Sequence, residues 1–217
     1  MTLAIFDLDH TLLAGDSDYL WGEYMVKNQI VDEQEYRQRN QIFYEDYQRG
    51  RLDNDTYLEF ALAPLTRYPV EELYAWRDDY IENWIKPIIL RGAPALLEQH
   101  RRKNHELLII SATNLFITAP IAELLQVPTI LSTEPEMVGN RYTGRYLGTP
   151  TYQEGKVTVL REWLAATDHK LAGSYFYSDS INDLALLEEV DNPIVVHPDD
   201  QLKSIAETRN WKVIDLR

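Results

Sequence analysis

The chain has 217 residues, 45% of them hydrophobic, enough for one well-packed domain or a domain carrying an insertion. Its 35 Asp and Glu against 21 Lys and Arg leave a net charge of -14, which argues against nucleic-acid binding and against docking on anionic membrane. No cysteine is present, so disulfides, thiolate metal sites and thiol catalysis are excluded.

The first apolar run, Leu3-Ala4-Ile5-Phe6, reads as a buried strand and ends on Asp7-Leu8-Asp9. Residues two apart on a strand share a face, so Asp7 and Asp9 converge where the strand runs out. Like charges that close repel, and such a pair is tolerated mainly when a proton or a cation is shared between them. No basic region precedes this run, and no stretch approaches the roughly 18–20 apolar residues of a membrane span. A soluble, cytoplasmic protein is expected.

Residues 16–84 hold no strand pattern. Leu20, Trp21, Tyr24 and Met25 keep helical spacing, as do Val70, Leu73, Tyr80, Ile81 and Trp84, with Arg77 interrupting that face. A single crossover is far shorter than this. Residues 16–85 therefore read as an all-helical cap inserted into a core made of 1–15 and 86–217. An insertion at the carboxyl end of a strand overlies the ligand crevice of an α/β sheet, which makes it a candidate lid.

Beyond the insertion, apolar runs at 107–110, 129–131, 175–177, 194–196 and 212–216 alternate with helical segments at 93–104, 115–126, 157–166, 181–190 and 200–208. That alternation predicts a doubly wound parallel α/β sheet with a Rossmann-like core. Met137 to Tyr142 reads as a hairpin turning at Gly139-Asn140.

Three further motifs stand beside these runs. They are Ser111 in Ile109-Ile110-Ser111-Ala112-Thr113, Lys156 in Glu154-Gly155-Lys156-Val157, and Asp179 with Asp183 in Ser178-Asp179-Ser180-Ile181-Asn182-Asp183. With Asp7 and Asp9, in this order and over the whole chain, they resemble the motif set of the haloacid dehalogenase superfamily, in its phosphatase branch. Hard carboxylate oxygens at Asp7 and Asp179 suit Mg2+, and the resemblance adds the backbone carbonyl of Asp9 as a third protein ligand. The implied activity is hydrolysis of a small phosphorylated metabolite through an aspartyl-phosphate on Asp7, with Asp9 as proton carrier. Ser111, Ala112 and Lys156 would hold the phosphate oxygens, and Asn182 and Asp183 would orient Lys156 or the metal's waters.

The helical insertion is similar to that of the phosphoserine-phosphatase-like group. In that group an acidic residue nine positions after the nucleophile meets the substrate's amino group. Here that residue is Asp16, with Asp18 beside it, and Asp16 can equally cap the first lid helix. The group also meets a substrate carboxylate with a cap arginine. Matched through Gly50-Arg51-Leu52, its place falls near Ala61, with Glu59 close by, and no arginine stands there. Ser111-Ala112-Thr113 likewise departs from the Ser-Gly-Gly of phosphoserine phosphatases. Both departures point to an amino-alcohol phosphate without a carboxylate, such as histidinol phosphate. Thr11 and His10 are expected to serve the loop after the first strand. His100, His105, His169 and His197 lack metal-ligand spacing and read as surface or loop residues. A phosphotransferase using the same intermediate is not separable by sequence. A phospho-accepting signalling module is disfavoured, because its acceptor Asp follows a third strand and Asp9 would have no purpose there.

Overall fold

A computed structural model describes residues 1–217. β1 (Leu3–Phe6), β2 (Glu106–Ser111) and β3 (Thr129–Ser132) precede a hairpin of β4 (Glu134–Val138) and β5 (Arg141–Leu147), and β6 (Tyr175–Ser178), β7 (Asn192–Val196) and β8 (Lys212–Ile214) follow. Six of them form one sheet in the order β3-β2-β1-β6-β7-β8, with every pairing parallel. The order reverses at β1, so a crevice opens beyond its carboxyl end.

Alternate residues of β1 feed the two faces. Leu3 and Ile5 pack with Leu160, Leu186 and Leu202, whereas Ala4 and Phe6 pack with Leu97 and Ile117. The helices on the first face are α7 (Glu154–Ala165), the single turn α8 (Leu184–Leu187) and α9 (Asp200–Arg209); on the other lie α5 (Ala93–Arg102) and α6 (Leu115–Leu124). The expected helix over 181–190 is shorter than its pattern: a 3-10 turn, Ile181–Asp183, leads into α8. None of the helices is long and apolar enough to cross a membrane.

Between β1 and α5 the chain is helical. α1 (Ser17–Lys27), α2 (Glu33–Gln48) and α3 (Asn54–Leu62) each start on an aspartate, Asp16, Asp32 and Asp53, whose carboxylate accepts from the free N–H groups of the first turn. α4 (Val70–Tyr80) runs on into a π-helical turn, Ile81–Ile85. The two ends of the insertion are stitched together: Ala14 N donates to Ile88 O at 2.7 Å and Leu90 N to Leu12 O at 3.0 Å. Its apolar interior is continuous with the sheet's, for Trp21 lies edge-on to Phe116 of α6 at 5.6 Å. Arg77, the residue that interrupts the α4 pattern, lies over the rings of Tyr74 and Phe116, at 4.5 and 5.1 Å. The break in periodicity marks where the cap meets the core.

His100 differs from its reading as a surface residue. It is 1% exposed, packed on Phe6, with Nε2 2.7 Å from the Tyr177 hydroxyl and Nδ1 2.8 Å from His105 Nδ1. Its helical position was visible in sequence, but a histidine among apolar neighbours carries no sign of the tyrosine that satisfies it.

Candidate active site

Three adjacent strands deliver the site. Asp7 N donates to Tyr177 O at 2.9 Å, prolonging the β1–β6 ladder by one residue, so the Asp7 side chain emerges at the strand end. Ser111 is the last residue of β2, and Asp179 follows the last residue of β6. Lys156 enters from the first turn of α7. The glycine before it is required by packing, since a Cβ on Gly155 would fall 1.9 Å from Pro150 O.

Lys156 is 1% exposed, and its Nζ donates to Asp7 Oδ1 at 2.8 Å and lies 2.7 Å from Asp183 Oδ1. Burial alone would lower this ammonium, but the Asp183 and Asp7 carboxylates outweigh it and hold it charged. Asp183 is fixed in turn by Ser178, whose Oγ donates to Asp183 Oδ2 at 2.7 Å. Asn182 makes no hydrogen bond to Lys156, although orienting Lys156 was one of the two roles expected of it. Its Nδ2 instead donates to Tyr47 O of the cap at 2.9 Å, and its Oδ1 accepts from Gln153 Nε2 at 3.0 Å. Gln153 Nε2 also donates to Gly50 O at 3.2 Å, and its backbone is held at φ 48°. Nothing in the sequence marks Gln153, apart from its place just before Gly155-Lys156.

Asp9 is held at both oxygens: Ser17 N donates to Oδ1 at 2.7 Å and Thr113 Oγ1 to Oδ2 at 2.8 Å. Burial raises its carboxyl to about 6, with the Asp16 charge adding and the Ser17 and Thr113 hydrogen bonds opposing. Thr113 was part of the quoted motif without a role of its own. Thr11 bridges two carboxylates, with Oγ1 3.1 Å from both Asp7 Oδ2 and Asp179 Oδ1. His10 sits in the left-handed region at φ 55° and turns the loop, its Nε2 3.4 Å from the Tyr44 hydroxyl.

Asp7 and Asp179 are the residues that could hold a metal. Burial raises both carboxyls, and their mutual repulsion raises Asp179 further, well above the usual carboxylate range. One ammonium, Lys156, faces this group of carboxylates, so the donor set is hard, oxygen-only and short of positive charge. No group of three or more His, Asp or Glu side chains forms a ready cage. That suits Mg2+, which binds through one or two carboxylates and fills its shell with waters and phosphate oxygens.

Between these residues and the cap lies a cavity. Asp9, Ala112 and Thr113 form its floor, and Asp16, Asp18 and five aromatic residues, Tyr19, Phe43, Tyr44, Tyr47 and Tyr57, form much of its walls. No lysine or arginine lines it. Asp16 uses Oδ1 to cap α1, accepting from Asp18 N at 2.9 Å and Tyr19 N at 2.8 Å. Ala61 and Glu59, where the missing arginine was placed by sequence matching, lie elsewhere: Ala61 is buried inside the cap and Glu59 lines a separate groove on it. The position was misplaced, but the absence of a basic side chain holds for the whole cavity.

Comparison with known proteins agrees with this architecture. The family model for haloacid dehalogenase-like hydrolases matches residues 4–188, and the chain belongs to that family of enzymes. A histidinol-phosphatase of Neisseria meningitidis is 43% identical over 219 residues, covering 99% of both chains. Among solved structures, a protein of unknown function from Bordetella pertussis superposes with a TM-score of 0.93 at 42% identity, covering both chains in full. A substrate-bound phosphoserine phosphatase shares the fold, with a TM-score of 0.71 at 16% identity, over 98% of this chain and 92% of that one.

Proposed function

We propose that this phosphoric monoester hydrolase acts on histidinol phosphate through an aspartyl-phosphate on Asp7, with residues 16–85 as the substrate lid. The observation that carries the substrate is the cavity wall: two carboxylates, Asp16 and Asp18, aromatic rings, and no cation. A phosphorylated amino alcohol presents an ammonium to such a wall. Phosphoserine would bring a carboxylate with no bidentate partner and with like charge opposite. The histidinol-phosphatase of Neisseria meningitidis, similar over nearly its whole length, supports the same substrate.

The contacts support the following chemistry. Mg2+ held by Asp7, Asp179 and the Asp9 carbonyl would neutralise the phosphate dianion. The Ala112 N–H makes no hydrogen bond within the protein and, with Ser111 and Lys156, is available to the non-bridging oxygens. An Asp7 oxygen attacks phosphorus, and the ester P–O bond breaks. Asp9 gives its proton to the departing alkoxide, which leaves as the free alcohol. Water then attacks the phosphorus of the aspartyl-phosphate. Asp9 takes the proton from that water, the P–Oδ bond breaks, and Asp7 is restored. The raised carboxyl of Asp9 suits it to give and take that proton, and its two hydrogen bonds fix where it stands.

Phosphate release measured side by side with histidinol phosphate and phosphoserine, in Mg2+, tests the proposal. The expected result is at least a tenfold higher kcat/KM for histidinol phosphate; a preference for phosphoserine would refute it.

A further inference from the structure

We propose that Asp18 is a specificity-determining residue for this reaction, accepting an N–H of the substrate's heteroaromatic ring while Asp16 takes the amine. This inference rests on the amino-alcohol reading of the site and names what reads the far end of the molecule.

Asp18 lies in the first turn of α1, 8% exposed, on the wall of the cavity. Its Oδ2 is buried and has no hydrogen-bond partner. A carboxylate in a helix's first turn often serves the dipole, but that end of α1 is already capped by Asp16, which takes the Asp18 N–H itself. Neighbouring charge makes matters worse: Asp16 and Asp9 both oppose ionisation of Asp18. Burial, with those charges, raises the carboxyl to about 7, and hydrogen bonding from the Tyr57 hydroxyl to the carboxyl offsets only part of the rise. The Asn40 amide, on the same wall, is turned away and donates to Tyr19 O at 3.1 Å.

A buried acceptor that the fold leaves unpaired destabilises the free protein. Such a group persists where a ligand supplies the missing donor. Aromatic residues, Phe43, Tyr44 and Tyr57 among them, line the cavity around it, and such a lining suits a flat aromatic ligand. A ring bearing an N–H satisfies both features at once. A substrate lacking that ring reaches Asp16 but leaves Asp18 Oδ2 without a partner, and sites built to hydrogen-bond a substrate N–H reject such analogues strongly.

The test compares histidinol phosphate with the phosphate ester of 2-amino-1-propanol, which keeps the amine and lacks the ring. Wild-type enzyme, Asp18→Asn and Asp18→Leu are assayed for kcat/KM on both. In Asp18→Leu the preference for the ring-bearing ester is expected to fall by about tenfold or more, through KM. Asp18→Asn, which keeps one acceptor oxygen, should fall less. The melting temperature of Asp18→Leu should rise by about 3 °C, because an unpaired buried carboxyl has gone. An unchanged preference, equal loss on both esters, or a variant that unfolds would each overturn the role given to Asp18. Wild-type enzyme inactive on histidinol phosphate would instead sink the substrate reading, and this inference with it.

Discussion

Lys156 carries the sharpest energetic consequence of the site. Its ammonium is the one positive group set between Asp7 and Asp183, at 2.8 and 2.7 Å, and it is 1% exposed. Lys156→Met keeps most of the aliphatic volume and removes the charge. Two buried carboxylates are then left facing each other, and removing one partner of a buried ion pair costs about 3–5 kcal/mol. For a chain of this length that is a fall in melting temperature of about 10 °C. Added Mg2+ should recover part of it, because a cation at Asp7 replaces some of the missing charge. Because the ammonium is proposed as a donor to the phosphate oxygens, its loss should also lower kcat by about a hundredfold to a thousandfold. Asp183→Asn is the control that separates the two effects: Lys156 keeps Asp7, so stability should fall less and the rate should survive better. Thermal unfolding with Mg2+ and with a chelator, beside phosphate release at saturating substrate, measures both. A Lys156→Met protein that melts within 1–2 °C of wild type, by the same scale, would refute the electrostatic reasoning.

Asp9→Asn should keep the fold, since an amide can still meet Ser17 N and Thr113 Oγ1, while turnover falls about a hundredfold or more. A single-turnover assay with an activated aryl phosphate should show a smaller loss in the first step than with an alkyl ester; equal losses would count against proton donation to the leaving group. Asn182→Ala removes the Tyr47 and Gln153 hydrogen bonds, together about 1–3 kcal/mol, and should raise KM about tenfold with little change in kcat. An unchanged KM would show that the cap does not depend on that contact. His100 is held down at about 4, chiefly by burial, with His105 and Lys103 adding, against an ordinary 6.5. The unfolded chain therefore takes up a proton that the folded one refuses, so His100 destabilises the fold progressively as pH drops from about 6.5 to about 4. The stability difference between wild type and His100→Phe should shift by about 3 kcal/mol across that window, and a flat difference would refute the assignment.

The strand ends were legible because each is a short apolar run stopping at a polar residue. That pattern puts Asp7, Ser111 and Asp179 together at the carboxyl end of the sheet. Lys156 was legible through Gly155, whose need is steric. What escaped was everything fixed by contact between distant segments. The Asn182 amide was expected to orient Lys156 or a metal's waters, and its bond to the cap backbone at Tyr47 O depends on packing that composition does not encode. Arg77 interrupted a helical pattern and His100 read as a surface or loop residue, and each is satisfied by residues far away in sequence, Phe116 in one case and Tyr177 in the other. The cap's arginine position failed for the same reason, since helix packing and not residue offset decides which side chains face the cavity.

The cap is joined to the core by two kinds of contact, and their chemistry differs. On the side of α1 and α4 the join is apolar: Trp21 packs on Tyr80 and Phe116 within a cluster continuous with the sheet. Parting it would expose that surface to water, at about 25 cal/mol for each Å2. At the corner between α2 and α3 the join is mainly polar, made by Asn182 to Tyr47 O and Gln153 to Gly50 O, with one ring contact, Tyr47 to Tyr152 at 5.9 Å. Those bonds exchange for water at small net cost. Opening should therefore occur at the α2–α3 corner, with α1 staying on the core. The carboxylates Asp16 and Asp18 ride on the fixed part, and Tyr44 and Tyr47 ride on the part that yields. On the proposed lid motion, substrate charge would be read before the aromatic wall closes over it. Hydrogen exchange should be faster in residues 44–53 than in α1, and Asn182→Ala should raise it there alone; faster exchange in α1 would reverse the order.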